Sequence, residues 1–183
     1  MRAYTMQSVR STADQAVALA RELMTFLERR GRIHDVQEDP RFQHRGVDLL
    51  WDVPAEGGGA DRVLGVEVKG DRHGRRGNYF LELISNVEKD TPGCFLYSTA
   101  DVVLYAFVRE REVHQLPLAA LREWFLPLAK RFPTAQARTK AGTAHYTTVG
   151  ALVPVMDVQR AVAGAARWRR RDTGQWDRKA VRG

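Results

Sequence analysis

The sequence is poor in cysteine: Cys94 stands alone in 183 residues. One thiol excludes an intramolecular disulfide framework and cannot by itself build a zinc cluster, so the chain fits a reducing, cytoplasmic setting with Cys94 as a small buried hydrophobe. Long apolar runs are missing too; nothing approaches the ~18 consecutive residues of a membrane-helix candidate, and no membrane partner is expected. The stretch MRAYTMQSVRSTADQAVALA lacks the charged-then-apolar order of a secretory signal. His34, His44, His73, His114 and His145 lie scattered without zinc-site spacing. There is no Gly-rich phosphate loop followed by Lys-Ser/Thr, and no Gly-x-Ser-x-Gly elbow. Disulfide-stapled, membrane-spanning, zinc-finger, P-loop and serine-hydrolase readings therefore fall away.

What the chain has in excess is positive charge. Its formal net charge is +7 and its pI about 10.0, which favours a polyanionic partner such as nucleic acid. From Arg160 onward there are eight Arg/Lys and two Asp, a difference of +6 that accounts for nearly all of the excess. The length suits one substantial core. We expect one domain over 1–157 and a basic tail over 158–183, read as a short helix with a disordered end. The tail's arginines, Arg169, Arg170 and Arg171, with Trp168 and Trp176, suit phosphate contact and base stacking, or else docking.

Hydrophobic periodicity predicts an amphipathic helix over Ser11 to Arg30, with Val17, Ala20, Leu23, Met24 and Leu27 on one face, a Ser/Thr/Asp cluster as cap and Gly31 as stop. RIHDVQED, GVDLLWDVP and RVLGVEVKG read as strands, the last two forming a hairpin through PAEGGGAD. Further strands are expected at NYFLELISN, VVLYAFVRE, EVHQLP and AHYTTVGALVPV, with a short helix or irregular segment after TPG and a helix at LAALREWFLPLAKRF. The fold class is mixed α/β, a sheet covered by helices.

Chemistry concentrates in GVEVKGDRHGRRG. Glu67 and Lys69, two apart on a strand, project from the same face, and the hairpin brings Asp48 of GVDLLW beside them. Two carboxylates buried together raise each other's pKa unless a cation lies between them. A hard divalent ion fits, and magnesium takes one or two carboxylates and shares its shell with phosphate. Such an ion acidifies water, and a neighbouring lysine orients the nucleophile or stabilises developing charge. The following loop offers Arg72, His73, Arg75 and Arg76 to a phosphate backbone.

Asp48, the intervening turn and Glu67-Val68-Lys69 resemble the bipartite motif of the PD-(D/E)XK nuclease superfamily, the fold of restriction endonucleases and archaeal Holliday-junction resolvases. The resemblance spans roughly residues 11 to 110, from the leading helix through a three-strand sheet. It implies a restriction-endonuclease-like central mixed sheet flanked by helices. It further implies Mg2+ (or Mn2+) held by Asp48, Glu67 and the Val68 carbonyl, with Lys69 near the attacking water, in an endonuclease favouring DNA over RNA that works as a homodimer. The family's proline before the aspartate is Val47 here, and its leading-helix glutamate has no clear match, Glu22 being the closest and Glu28 the next. Glu82, in the following strand, is a further catalytic carboxylate if that strand approaches the site. Asp101 reads as a cap and Tyr105 as core. A catalytically silent nucleic-acid-binding module on the same fold is the alternative.

Overall fold

The computed structural model describes residues 2–55 and 60–180. Within these, the chain runs through β1 (Arg2–Thr5), α1 (Met6–Leu27), β2 (Arg32–Asp35), α2 (Pro40–Gln43), β3 (Leu49–Val53), β4 (Arg62–Asp71), β5 (Asn78–Asn86) and β6 (Thr91–Pro92). It continues through α3 (Cys94–Tyr97), β7 (Val102–Phe107), β8 (Glu112–Pro117), α4 (Leu118–Phe125), β9 (Thr134–Ala141), β10 (Ala144–Pro154), α5 (Val155–Ala161), β11 (Ala166–Arg170) and β12 (Trp176–Lys179). The expected mixed α/β class is what forms, as two mixed sheets flanked by helices. One has the order β1-β9-β10-β5-β6 and the other β12-β11-β8-β7-β4-β3-β2.

In the larger sheet, β4 pairs antiparallel with β3 and parallel with β7. The six residues of β7 are all buried, because both faces of this strand are covered. Val102, Leu104 and Ala106 face α1, while Val103, Tyr105 and Phe107 face the second sheet. β4 alternates in the same way: Val66 and Val68 lie on the α1 side, so Glu67 and Lys69 project between the sheets.

Helix α1 packs through Ala16, Ala20, Leu23 and Met24, spaced to share one face. It approaches β4 so closely at Gly70 that a Cβ there would lie 2.8 Å from the Thr12 carbonyl oxygen. The helix begins earlier than the Ser/Thr/Asp cluster predicts. Thr5 is the cap, its side chain accepting the Ser8 N–H, and the helix stops at Leu27, ahead of Gly31.

Between the sheets lies the other half of the core: Tyr79 and Leu81 from β5, Ala151 and Val153 from β10, and Phe95, Leu118, Leu121 and Phe125 from α3 and α4. The sheets are also bonded to each other. Tyr105 Oη donates to Asp71 Oδ2 at 3.0 Å and accepts the Phe80 N–H at 3.0 Å, so Tyr105 is core, as expected.

Two expectations are corrected. The basic segment after Arg160 is expected to be a short helix with a disordered end; over 166–179 it instead forms the β11–β12 hairpin, which joins the large sheet beside β8, and the end itself, at 181–183, lies outside the described residues. Trp176 is buried in the α1-side core, so its ring cannot stack on bases. Trp168 packs edge-on against Phe26, with Arg178 over its ring. The glycines of the expected β3–β4 turn, at 57–59, lie outside the described residues.

Among the described residues no helix is long and apolar enough to cross a membrane.

Candidate active site

Asp48 sits one residue ahead of β3, where the Leu49↔Val66 pairing ends, and it bonds to β4 out of register. Its N–H donates to the Val66 carbonyl at 2.8 Å, and its Oδ2 accepts the Val68 N–H at 2.7 Å. A strand residue's N–H and C=O leave on the same side, so the Val68 carbonyl also points toward Asp48, where the β3 ladder has ended. Glu67 is 6% exposed, and its Oε1 lies 3.1 Å from Lys69 Nζ, whose side chain is 34% exposed. Sequence reasoning brought these three residues together, and the fold does the same.

Glu82 arrives from the other sheet. β5 does not neighbour β4, but its Glu82 lines, with Glu67, Lys69, Cys94 and Tyr105, a cavity of about 20 Å³ between the sheets, room for little more than one water. The carboxylate is held by Ser85, whose hydroxyl donates to Glu82 Oε1 at 2.6 Å. Gly93 sets the fit of this corner, since a Cβ on it would fall 2.0 Å from the Glu82 carbonyl oxygen.

Burial raises the pKa of both acids. For Asp48, the Val68 N–H and Lys69 oppose that rise without cancelling it. For Glu67, Lys69 opposes it and Asp48 adds to it. Burial also works against the charge of Lys69, but the acids Glu67 and Glu82 oppose it, and the pKa is held well above the ordinary ammonium value. Lys69 is therefore a cation at neutral pH, suited to holding an anion or orienting water and unsuited to removing a proton. Cys94 is buried as expected. Its thiol lines the same cavity as Lys69, a proximity the sequence did not signal, and burial pushes its pKa up to about 12, so it is protonated and unreactive.

Among the described residues no three His, Cys, Asp or Glu side chains are grouped to hold a metal ion. Two carboxylates with a backbone oxygen form the smaller set that magnesium accepts, because that ion keeps several of its waters. The donor chemistry of Asp48, Glu67 and Val68 fits a hard divalent cation.

The leading-helix acids are elsewhere. Glu22 pairs with Arg170, and Glu28 accepts the Arg30 N–H; α1 covers the face of β4 opposite Glu67. Asp101 does not cap a helix. Its Oδ2 accepts the Gly65 N–H at 2.7 Å and so ties the start of β7 to β4.

The basic residues gather at the far end of β4. A cleft of about 660 Å³ there is lined by Arg72, His73 and Arg76 from the loop, Arg169 and Arg170 from β11, and Arg109 and Arg111 from the β7–β8 turn, together with Glu110 and Asp172. His73 Nε2 lies 3.1 Å from Tyr4 Oη, and Arg171 turns away to pair with Asp177. The Arg75 side chain lies outside what the structure describes. Arg109 and Arg111 were missed; the charged turn VRERE between two strands was the available signal.

The chain matches no protein-family model, no curated protein and no solved structure.

Proposed function

We propose that the chain is a divalent-metal-dependent nuclease of the PD-(D/E)XK kind that hydrolyses phosphodiester bonds, DNA before RNA. The observation that carries this reading is the convergence of the half-buried Asp48 and the buried Glu67, whose pKa values are both raised, around the cationic Lys69. Such an arrangement is unfavourable for a purely structural site and suits one that receives a cation.

Asp48, Glu67 and the Val68 carbonyl would hold Mg2+ (or Mn2+), which supplies Lewis acidity and acidified water when bound. The Val68 N–H fixes one Asp48 oxygen, and the other would be the one offered to the ion. Lys69, partly exposed, stabilises charge developing on the phosphate and orients the attacking water. Glu82, held by Ser85, balances the lysine from the opposite sheet and keeps it charged.

A second reading, a nucleic-acid-binding module without cleavage, draws on the 3.1 Å Glu67–Lys69 pair, which already neutralises one acid internally. Cleavage assays separate the two. Duplex, single-stranded and four-way-junction DNA and RNA are offered with Mg2+, Mn2+ or chelator to the native chain, Glu67→Gln and Lys69→Ala. Metal-dependent cutting that falls by about 10²–10³ in both folded variants supports the nuclease; binding without cutting under every condition replaces it with the binding module.

A further inference from the structure

We propose that the arginine cleft is a second, distinct binding site that grips the sugar-phosphate backbone of a nucleic-acid strand several nucleotides away from the bond at Asp48 and Glu67. This rests on the nucleic-acid reading above and adds where, and over what length, the strand is held.

Three segments distant in sequence build the cleft, and each is fixed by the backbone. The Val108 N–H donates to the Asp71 carbonyl, the Arg170 N–H to the Arg111 carbonyl, and the Arg76 N–H to the His73 carbonyl. The arginines divide into two groups. Arg72 is bound to Ser8 and Thr12, Arg111 pairs with Asp172 at 2.8 Å, and Arg170 pairs with Glu22; these form walls. Arg76, Arg109 and Arg169 are exposed, with no ion pair seen among the described residues, and they come one from each segment. Like charges gathered into a concave surface repel one another and focus a positive potential. A polyanion with regularly spaced charges relieves that repulsion at all three points.

The walls also carry a conformational cost. Arg111 has φ 53°, a left-handed conformation that a long side chain rarely adopts. It is held there with its guanidinium on Asp172 and on the Arg171 carbonyl, which docks the C-terminal hairpin against the β7–β8 turn and completes the cleft.

Position sets the length of strand engaged. The cleft opens beyond Asp71, four residues along β4 from Glu67, a strand distance of about 13 Å. At about 3.4 Å per phosphate along one strand of a duplex, that is roughly four nucleotides. The contacts available are guanidinium to phosphate, which position a strand without reading its sequence.

The test is binding in chelator, so that cleavage plays no part. Fluorescence anisotropy of labelled DNA and RNA, single-stranded and duplex, in lengths from 2 to 20 nucleotides, is measured for the native chain and for R76E/R109E/R169E. A control, R29E/R62E/R131E, makes the same change in net charge at exposed arginines outside the cleft. Circular dichroism and thermal melts confirm the folded state, and R76Q/R109Q/R169Q serves as the milder variant. Expected is a loss of about 10²-fold or more in affinity for the longer oligomers, little change for dinucleotides, and a salt slope shallower by about 2 units, at ~0.7 per single-strand phosphate contact. Affinity and slope equal to the native chain's, or a control that loses as much as the cleft variant, overturns the proposal. Loss of binding in the cleft variant by a protein that cuts nothing under any metal condition leaves the cleft standing and removes the nuclease; metal-dependent cutting with unaltered binding does the reverse. The relative losses on DNA and RNA tell which strand the cleft serves.

Discussion

The Asp48 carboxylate accepts the Val68 backbone N–H at 2.7 Å, so one acid of the candidate site is pinned to the strand that carries the other. Asparagine can keep this bond through its amide oxygen while removing the charge; alanine removes both. Asp48→Asn is expected to unfold at the native temperature or above it, since burial already disfavours the charge, and to lose metal-dependent cleavage. Asp48→Ala is expected to cost about 1–3 kcal/mol, because a partly buried N–H loses its acceptor. Chemical denaturation of the three proteins, read beside their activities, checks both halves.

The raised pKa of Glu67 fixes the sign of a pH effect. A group whose folded pKa exceeds its unfolded value binds protons more readily in the native state, so its contribution to stability is complete below the unfolded value and declines as pH rises through the folded one. With the ordinary value at 4.5, the metal-free native chain should lose stability relative to Glu67→Gln as pH climbs from about 4 upward. Paired thermal melts without metal measure this difference; a gap that stays constant with pH contradicts it.

Added divalent metal should reverse that trend. An ion bound by the native state alone stabilises by about 2.7 kcal/mol at a hundred times its Kd, or about 5–10 °C for a chain of this size. Thermal shift against Mg2+ or Mn2+ should show this for the native chain and lose it in Asp48→Asn.

A second buried network predicts acid lability. Gln159 Nε2 donates to Tyr79 Oη at 3.0 Å, and Tyr79 Oη lies 2.7 Å from His114 Nδ1, whose Nε2 faces Glu112 Oε2 at 3.3 Å. Burial raises the tyrosine pKa, so the phenol keeps its proton and donates it to Nδ1, which assigns the neutral Nε2–H tautomer to His114. Burial likewise lowers the His114 pKa from its ordinary 6.5. Stability from this group is present above that value and is lost as pH falls from it through the folded pKa. Melts from pH 8 to 5 should show a steeper fall for the native chain than for His114→Gln. Tyr79→Phe, which leaves Nδ1 without its donor, should cost about 1–3 kcal/mol.

The C-terminal hairpin should prove structural. Trp176 is 6% exposed and packs in the core beneath α1, so Trp176→Ala is expected to cost about 3–5 kcal/mol. A chain cut after Val162 should melt far below the native protein. Equal stability with and without the hairpin would contradict this packing.

Much of the site was legible in sequence because it is local in character. Strand alternation alone puts Glu67 and Lys69 on one face, and the hairpin brings Asp48 beside them. The helical spacing of Val17, Ala20, Leu23, Met24 and Leu27 identified α1, and NYFLELISN became β5 with the expected bounds. Placing Glu82 required the second sheet, since β5 joins β10 rather than β4.

By itself, the sequence determined the mixed α/β class, the leading helix, the Asp48/Glu67/Lys69 grouping and the lack of a disulfide, all consequences of side-chain period and composition over short spans. Tertiary structure alone decided that β1 runs parallel to β9, that an arginine-rich end becomes two strands, and that Arg76, Arg109 and Arg169 share one cleft. Sheet pairing is the physical reason. A segment such as ARWRR has little intrinsic preference for a strand, and becomes one because β8 offers it a ladder and α1 a surface to bury against; both partners lie dozens of residues away, where no local pattern reaches.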